Sequence, residues 1–185
     1  MAKEKPSLGI SSKTMLAVIA ALSVIPYDKL PKPLQDLKNV VDSVNPLKRL
    51  FDWISSMTEA EALFKLHAGD HIYCYRKGYS HHGIYAGDGM VWEYDGTDIH
   101  DAHVQYSTIT NFAMGDRINR LNYKPDFPPD IILQRAASRV FCGDYDLLRN
   151  NCLHYALWCR LSSKEDVCKT GDVIGLLLPE RMDTN

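Results

Sequence analysis

The chain has 185 residues, 45% of them hydrophobic and 24% charged, enough to bury one sizeable core. A formal net charge of -2 supplies no basic face, so nucleic acid is excluded as an expected partner. The five cysteines, Cys74, Cys142, Cys152, Cys159 and Cys168, include no C-x-x-C pair. Their odd number argues against a disulfide framework and a zinc ribbon, and for a reducing, cytoplasmic setting.

Taken in chain order, the first feature is "MLAVIAALSVI", Met15–Ile25, whose eleven residues fall short of the roughly 20 that span a bilayer as a helix. Lys3, Lys5 and Lys13 precede it and Ala21-Leu22-Ser23 offers a cleavage site, which are features of a secretory signal. The free thiols argue the other way, towards a buried or membrane-surface helix. Residues 1–66 read as helical segments punctuated by Pro26, Pro31, Pro33 and Pro46. In "NPLKRLFDWISSM", Asn45 can cap, Pro46 occupies the first helical position, and Leu47, Leu50, Phe51 and Ile54 follow at i, i+3, i+4 and i+7. This amphipathic helix either packs on the domain core or lies on a membrane with Lys48, Arg49 and Trp53 at headgroup level. Thr58 and Glu61 form a capping box for the helix "EAEALFKL".

From His67 onward the composition turns aromatic and β-branched, with turn signals at Lys77-Gly78 and Gly87-Asp88-Gly89. Three antiparallel strands are expected at about 70–76, 81–86 and 90–95, with further strand-like sequence from His103 to Leu121. The segment "PDFPPD" ends the sheet region. A helix capped by Asp130 follows, then a short extended "DYDLL", then a helix opened by Asn150 or Asn151 that carries Cys152. Two metal arrangements compete weakly. His67 and His71 are spaced i, i+4, but Gly69 and the following strand oppose a helix there, and a solvated loop accounts better for Asp98, His100, Asp101 and His103. No metal or cofactor is expected.

A cysteine in the first turn of a helix can gain nucleophilicity from unpaired N–H groups and the helix dipole, although most such cysteines are buried and inert. A nucleophile also needs a base and a group to orient that base. The hairpin "SHHGIYAGDGMVWEY" offers His81, His82 and Glu93. A two-residue Asp88-Gly89 turn places Ile84 opposite Glu93 and points Glu93 away from His81. A three-residue Gly87-Asp88-Gly89 loop pairs Gly83 with Glu93 and sets His81 and Glu93 diagonally on one face, ~7–8 Å apart. The catalytic reading therefore requires the odd-length loop, with a glycine in the left-handed region. His82 alternates to the other face, His154 reads as a structural histidine, Cys159 as buried, and Tyr85 as packing rather than an oxyanion donor. The backbone N–H of Cys152 is the better oxyanion donor.

In order and spacing, "AGDHIYCYR", "HHGIYAGDG", "IILQRAASRV" and "NNCLHYALWC" resemble the core of the lecithin:retinol acyltransferase family, which includes the H-Ras-like suppressor phospholipases and acyltransferases. The resemblance covers about residues 67 to 172. It implies an α+β fold, an antiparallel sheet with helices packed on it, in the circularly permuted papain-like arrangement where the histidine precedes the cysteine. It falls on the catalytic domain, taken as 67–175, and leaves a helical extension at 1–66 and a short tail at 176–185 outside it; the apolar run Val173–Leu178 near the end is too short to span a bilayer. The family histidine falls on His81, the nucleophile on Cys152, and the third member, commonly a second histidine, on Glu93. Leu153 stands where many relatives carry an acidic residue.

The activity implied is a cysteine-dependent acyltransferase or phospholipase A, with a phospholipid or other acyl ester as substrate and peripheral membrane contact through residues 15–25 or 47–54. Two alternatives are a catalytically impaired lipid- or protein-binding module and a peptidase or amidase on the same scaffold.

Overall fold

The computed structural model of the chain describes residues 25–77, 79–96, 101–143, 145–146 and 150–164. The apolar run Met15–Ile25, apart from its last residue, lies outside them, as do Gly78, Asp98, His100, Leu147, Leu148 and the tail at 176–185.

Proline and side-chain caps set the N-terminal helices. A 3-10 turn at Tyr27–Lys29 leads into α1, Lys32–Val44, with Pro33 in its first turn. Asn45 accepts from the N–H groups of Leu47 and Lys48 and opens α2, Pro46–Ser55. Thr58 and Glu61 form both halves of the expected capping box on α3, Glu59–Lys65. Packing of the Leu47–Ile54 helix on the core, one of its two expected readings, is corrected. No residue of α2 is buried, and Leu47, Leu50, Phe51, Trp53 and Ile54 are each between 53% and 68% exposed. The apolar stripe exists but has no protein beneath it among the described residues.

The expected strands appear as β1 His71–Arg76, β2 Tyr79–Gly87 and β3 Met90–Asp95. The stretch from His103 to Leu121 is not continuous strand. It gives β4 at His103–Thr108, then α4 at Ile109–Ala113 because the Thr108 hydroxyl accepts from Asn111 N–H, then a two-residue β5 at Asn119–Arg120. The sheet is antiparallel in the order β4-β3-β2-β1-β5. The next helix, α5 at Pro129–Ala137, has Pro128 rather than Asp130 at its cap. Consecutive prolines preset the helix entry, and Asp130 sits inside the first turn, where its charge suits the dipole. Last comes α6, Cys152–Arg160.

Period-2 alternation gives each sheet face its own core. Ile84, Tyr94 and Val104 pack with Ile132 and Ala136 of α5 and with Cys152, Tyr155, Ala156 and Cys159 of α6. On the other face Ile72, Cys74, Tyr85 and Val91 pack with Ala62, Leu66, Ile109 and Phe112. A third cluster joins Tyr27 to Leu153, Leu157 and Leu161. Every residue of α6 is buried, so this helix is the centre of the molecule. A disulfide framework is not expected, yet Cys142 is disulfide-bonded, while Cys74, Cys152 and Cys159 are not in disulfides. Spacing motifs cannot detect a pairing that depends on distant segments meeting in space.

Candidate active site

The placement of His81 and Glu93 is decided by the β2–β3 hairpin. Gly83 does pair with Glu93, as the catalytic reading requires, but not through a three-residue loop. Gly87 pairs with Met90, so the turn is the two residues Asp88-Gly89, and the register shifts between Tyr85 and Gly87. The extra residue is Ala86, left unopposed in a β-bulge. Positive φ at Gly87 (97°), Asp88 (50°) and Gly89 (75°) makes the turn and bulge possible. The one-residue slip puts His81 and Glu93 on one face.

His81 Nε2 lies 2.7 Å from Glu93 Oε2 and 3.9 Å from Asp95 Oδ2, with His81 and Glu93 both buried. The Ser107 hydroxyl donates to Glu93 Oε1, so both carboxylate oxygens are engaged. The Phe112 ring lies 5.1 Å from the imidazole and tilted against it. Gly83 leaves room for this: a Cβ there would come within 2.9 Å of Phe112 and 2.8 Å of Val91.

Cys152 enters from the start of α6. Its Sγ is 4.0 Å from the Ser80 carbonyl oxygen, and it lies close enough to the His81 ring and the Tyr145 hydroxyl to raise the pKa of both. With Nε2 occupied by Glu93, Nδ1 is the His81 nitrogen left for the sulfur. Burial pushes the His81 pKa down, but the neighbouring Cys152, the Glu93 carboxylate to which the ring donates and the Asp95 charge outweigh it and raise it to about 10. The Tyr145 phenol is pushed well above its ordinary value, first by burial and then by Cys152, so it remains an O–H donor. Asn151 caps α6 by accepting from Leu153 N–H and His154 N–H and does not take the N–H of Cys152. That N–H remains at the helix start, where the dipole favours negative charge.

The other residues singled out in the sequence have structural placements. His82 is buried on the opposite face, with Nδ1 2.9 Å from His71 Nε2, while its Nε2 is 3.0 Å from Ser80 Oγ. Burial holds both His71 and His82 well below the ordinary histidine range, so this pair is neutral. His154 Nδ1 accepts from Asn151 N–H, and burial first, then Lys32 and Lys164, lower its pKa to about 4. The Tyr85 hydroxyl accepts from Gly89 N–H and its ring is buried; Cys159 is buried as well. Leu153 is buried against Tyr27, so its apolar character fits the neighbour that the N-terminal segment supplies.

Among the described residues the first metal candidate, His67 with His71, does not form a helical pair, and half of the second lies outside them. His67 is exposed in a turn, His71 opens β1, and Asp98 and His100 lie outside the described residues. Among the described residues, the donor atoms that converge within 4.8 Å of one another are those of His81, Glu93 and Asp95.

Sequence reasoning missed Asp95, Ser107, Gly83 and Tyr145. Asp95 could have been found, since it stands two residues beyond Glu93 on the same strand. Ser107 required the β3–β4 register, and Tyr145 lies in an irregular segment held by the Asp146–Asn150 bridge.

An antiparallel sheet carrying a histidine and a carboxylate, with a cysteine at the start of a buried helix that follows it in the chain, defines an α+β fold of the permuted papain-like kind. The chain belongs to the lecithin retinol acyltransferase family, whose model matches residues 64–165, more than half of the sequence. This is a family of acyltransferases that act on lipid acyl esters. No curated protein matches the chain at a significant level.

Proposed function

We propose that the protein is a cysteine-dependent acyltransferase or phospholipase A, with Cys152 as nucleophile, His81 as acid and base, and Glu93 as the residue that orients His81. The observation that supports this reading is the buried His81 imidazole, whose Nε2 lies 2.7 Å from the Glu93 carboxylate, with Cys152 near enough to raise its pKa. Glutamate in place of the family's usual second histidine supports the imidazolium with a full negative charge.

In the proposed reaction the Cys152 sulfur, its proton resting on His81, adds to the ester carbonyl carbon of a phospholipid. The Cys152 N–H and the Tyr145 hydroxyl face the developing oxyanion. The C–O bond breaks, His81 gives its proton to the departing lysolipid oxygen, and an acyl-thioester remains. Water, an amine or a lysolipid then attacks, His81 takes the incoming proton, and the acid, amide or ester leaves as the thiol is restored.

A substrate of this kind lies in a bilayer, and α2 supplies a surface suited to reach it. Leu47, Leu50, Phe51, Trp53 and Ile54 are all exposed on this one helix, and Leu34, Leu37 and Val40 of α1 are exposed as well. A cleft of about 560 Å³ beside α2, lined by Leu50 and Trp53, also carries Arg49 and Arg117, cations suited to lipid phosphate. Among the described residues no helix is long and apolar enough to cross a membrane, so the proposed contact is peripheral.

Intact-mass spectrometry after incubation with phospholipid vesicles should show a one-acyl adduct on the wild type and none on Cys152→Ala. If both proteins stay unmodified while an alkylating agent reaches Cys152 only as the pH passes ~8.5, the binding-module reading replaces this one. Paired Leu50→Glu and Phe51→Glu substitutions should abolish co-sedimentation with the same vesicles and leave Cys152 alkylation intact.

A further inference from the structure

Helix α1 is built inside out. Its exposed positions include Leu34, Leu37 and Val40, while Gln35, Asp36, Lys38, Asn39 and Asp42 are buried. Such a helix does not dock by the hydrophobic effect, and its buried ion pair, Lys38 with Asp42 at 3.0 Å, is no substitute, because desolvating two charges offsets most of their attraction. Something other than stability accounts for this polar face, and its partners show what. Asn39 Oδ1 receives the Ser80 hydroxyl on β2, one residue before His81. Asp36 Oδ1 receives the side-chain amide of Asn151 at 2.8 Å, one residue before Cys152.

We infer that Asp36 is a positioning residue that acts on Cys152 through Asn151, which makes α1 part of the working site although it lies outside the matched residues 64–165. An asparagine side chain has an accepting and a donating end of nearly the same shape, and only one orientation caps a helix. Asn151 Oδ1 must face the N–H groups of Leu153 and His154, at 3.1 and 3.2 Å. A carboxylate accepts and cannot donate, so Asp36 selects the orientation that turns Nδ2 towards itself and Oδ1 towards the helix. His154 completes the frame: its Nδ1 accepts from Asn151 N–H, which leaves the proton on Nε2, 3.4 Å from the same Asp36 oxygen. Loss of Asp36 removes the acceptor that favours this orientation of the amide, weakens the cap, and loosens the turn that holds the Cys152 sulfur beside His81. Leu153 fits this picture, since its side chain packs on Tyr27 just ahead of α1.

The inference rests on Cys152 being a nucleophile, but its test does not need the lipid substrate. The rate of iodoacetamide alkylation at pH 7, assigned to Cys152 by peptide mass, is measured for wild type, Asp36→Leu, Asn151→Ala and the double variant, at a temperature where circular dichroism shows each folded. Asp36→Leu should slow alkylation roughly tenfold, the scale of a lost helix cap. The double variant should be no slower than Asn151→Ala alone, because Asp36 acts through that residue. If the two effects multiply, or if Asp36→Leu lowers only the melting temperature and leaves the rate unchanged, the inference is wrong. Should Asp36→Leu not fold, Asp36→Asn serves, since an amide at 36 allows either orientation of Asn151; it should give an intermediate rate, and a wild-type rate overturns the inference. A wild type that alkylates normally but takes no acyl group refutes the proposed activity and leaves this comparison standing.

Discussion

His81 and His82 are consecutive, both buried, and opposite in chemistry. On one face of β2, His81 meets the Glu93 and Asp95 carboxylates, Cys152 reaches it from the start of α6, and its pKa rises to about 10. On the other, His82 meets the neutral His71 imidazole, the Ser80 hydroxyl, the Tyr73 ring stacked 5.5 Å away and the edge of Tyr27, and burial holds it uncharged. Burial is the largest influence on both; the partners decide whether it is overcome. A strand that alternates faces thus carries chemistry on one side and scaffold on the other, without any change of residue type.

This contrast can be tested by substitution. On the His81 face, His81→Ala should lower acyl transfer by about 10²–10⁴-fold, the usual worth of a positioned acid and base, and reduce Cys152 alkylation at neutral pH. Glu93→Gln should do less, keeping a hydrogen-bond partner but removing the charge, and should move the alkaline limit of activity down from about 10 by roughly 1 to 3 pH units. On the other face, His82→Phe should cost about 1–3 kcal/mol of stability by stranding the His71 ring nitrogen, with the alkylation rate of the folded protein unchanged. A large rate loss there would erase the distinction between the faces.

The two histidines should also be separable by pH. His71 and His82 bind protons more weakly folded than unfolded, so stability is full above the unfolded value of about 6.5 and declines as the pH falls below it. His81 binds its proton more tightly when folded. Its contribution is complete below about 6.5 and is lost as the pH rises through about 10. Urea midpoints across this range should fall at both ends, and His81→Ala should flatten the alkaline side alone.

Much of this was legible in the sequence. Asn151 before Cys152 announced a capped helix, and alternation in "SHHGIYAGDG" separated His81 from His82. The turn was not legible, because Gly87-Asp88-Gly89 satisfies either loop length and only the ladder reveals that Ala86 is the unopposed residue. The orientation of α1 was hidden for a different reason. Apolar periodicity assumes that Leu34, Leu37 and Val40 face inward, whereas the helix is held by polar contacts, one of them to a residue 115 positions away. Local pattern carries no information about a partner at that distance.

The bulge at Ala86 gives the hairpin a parity. Removing that residue, or adding one beside it, would carry the same side chains into a sheet where the ring now facing Glu93 turned to the scaffold side. Residues gained or lost in pairs would keep the phase. Length variation in this hairpin is therefore constrained by whether the change is odd or even before it is constrained by composition, and a variant could keep every residue of the triad and still lose the site by a count of one.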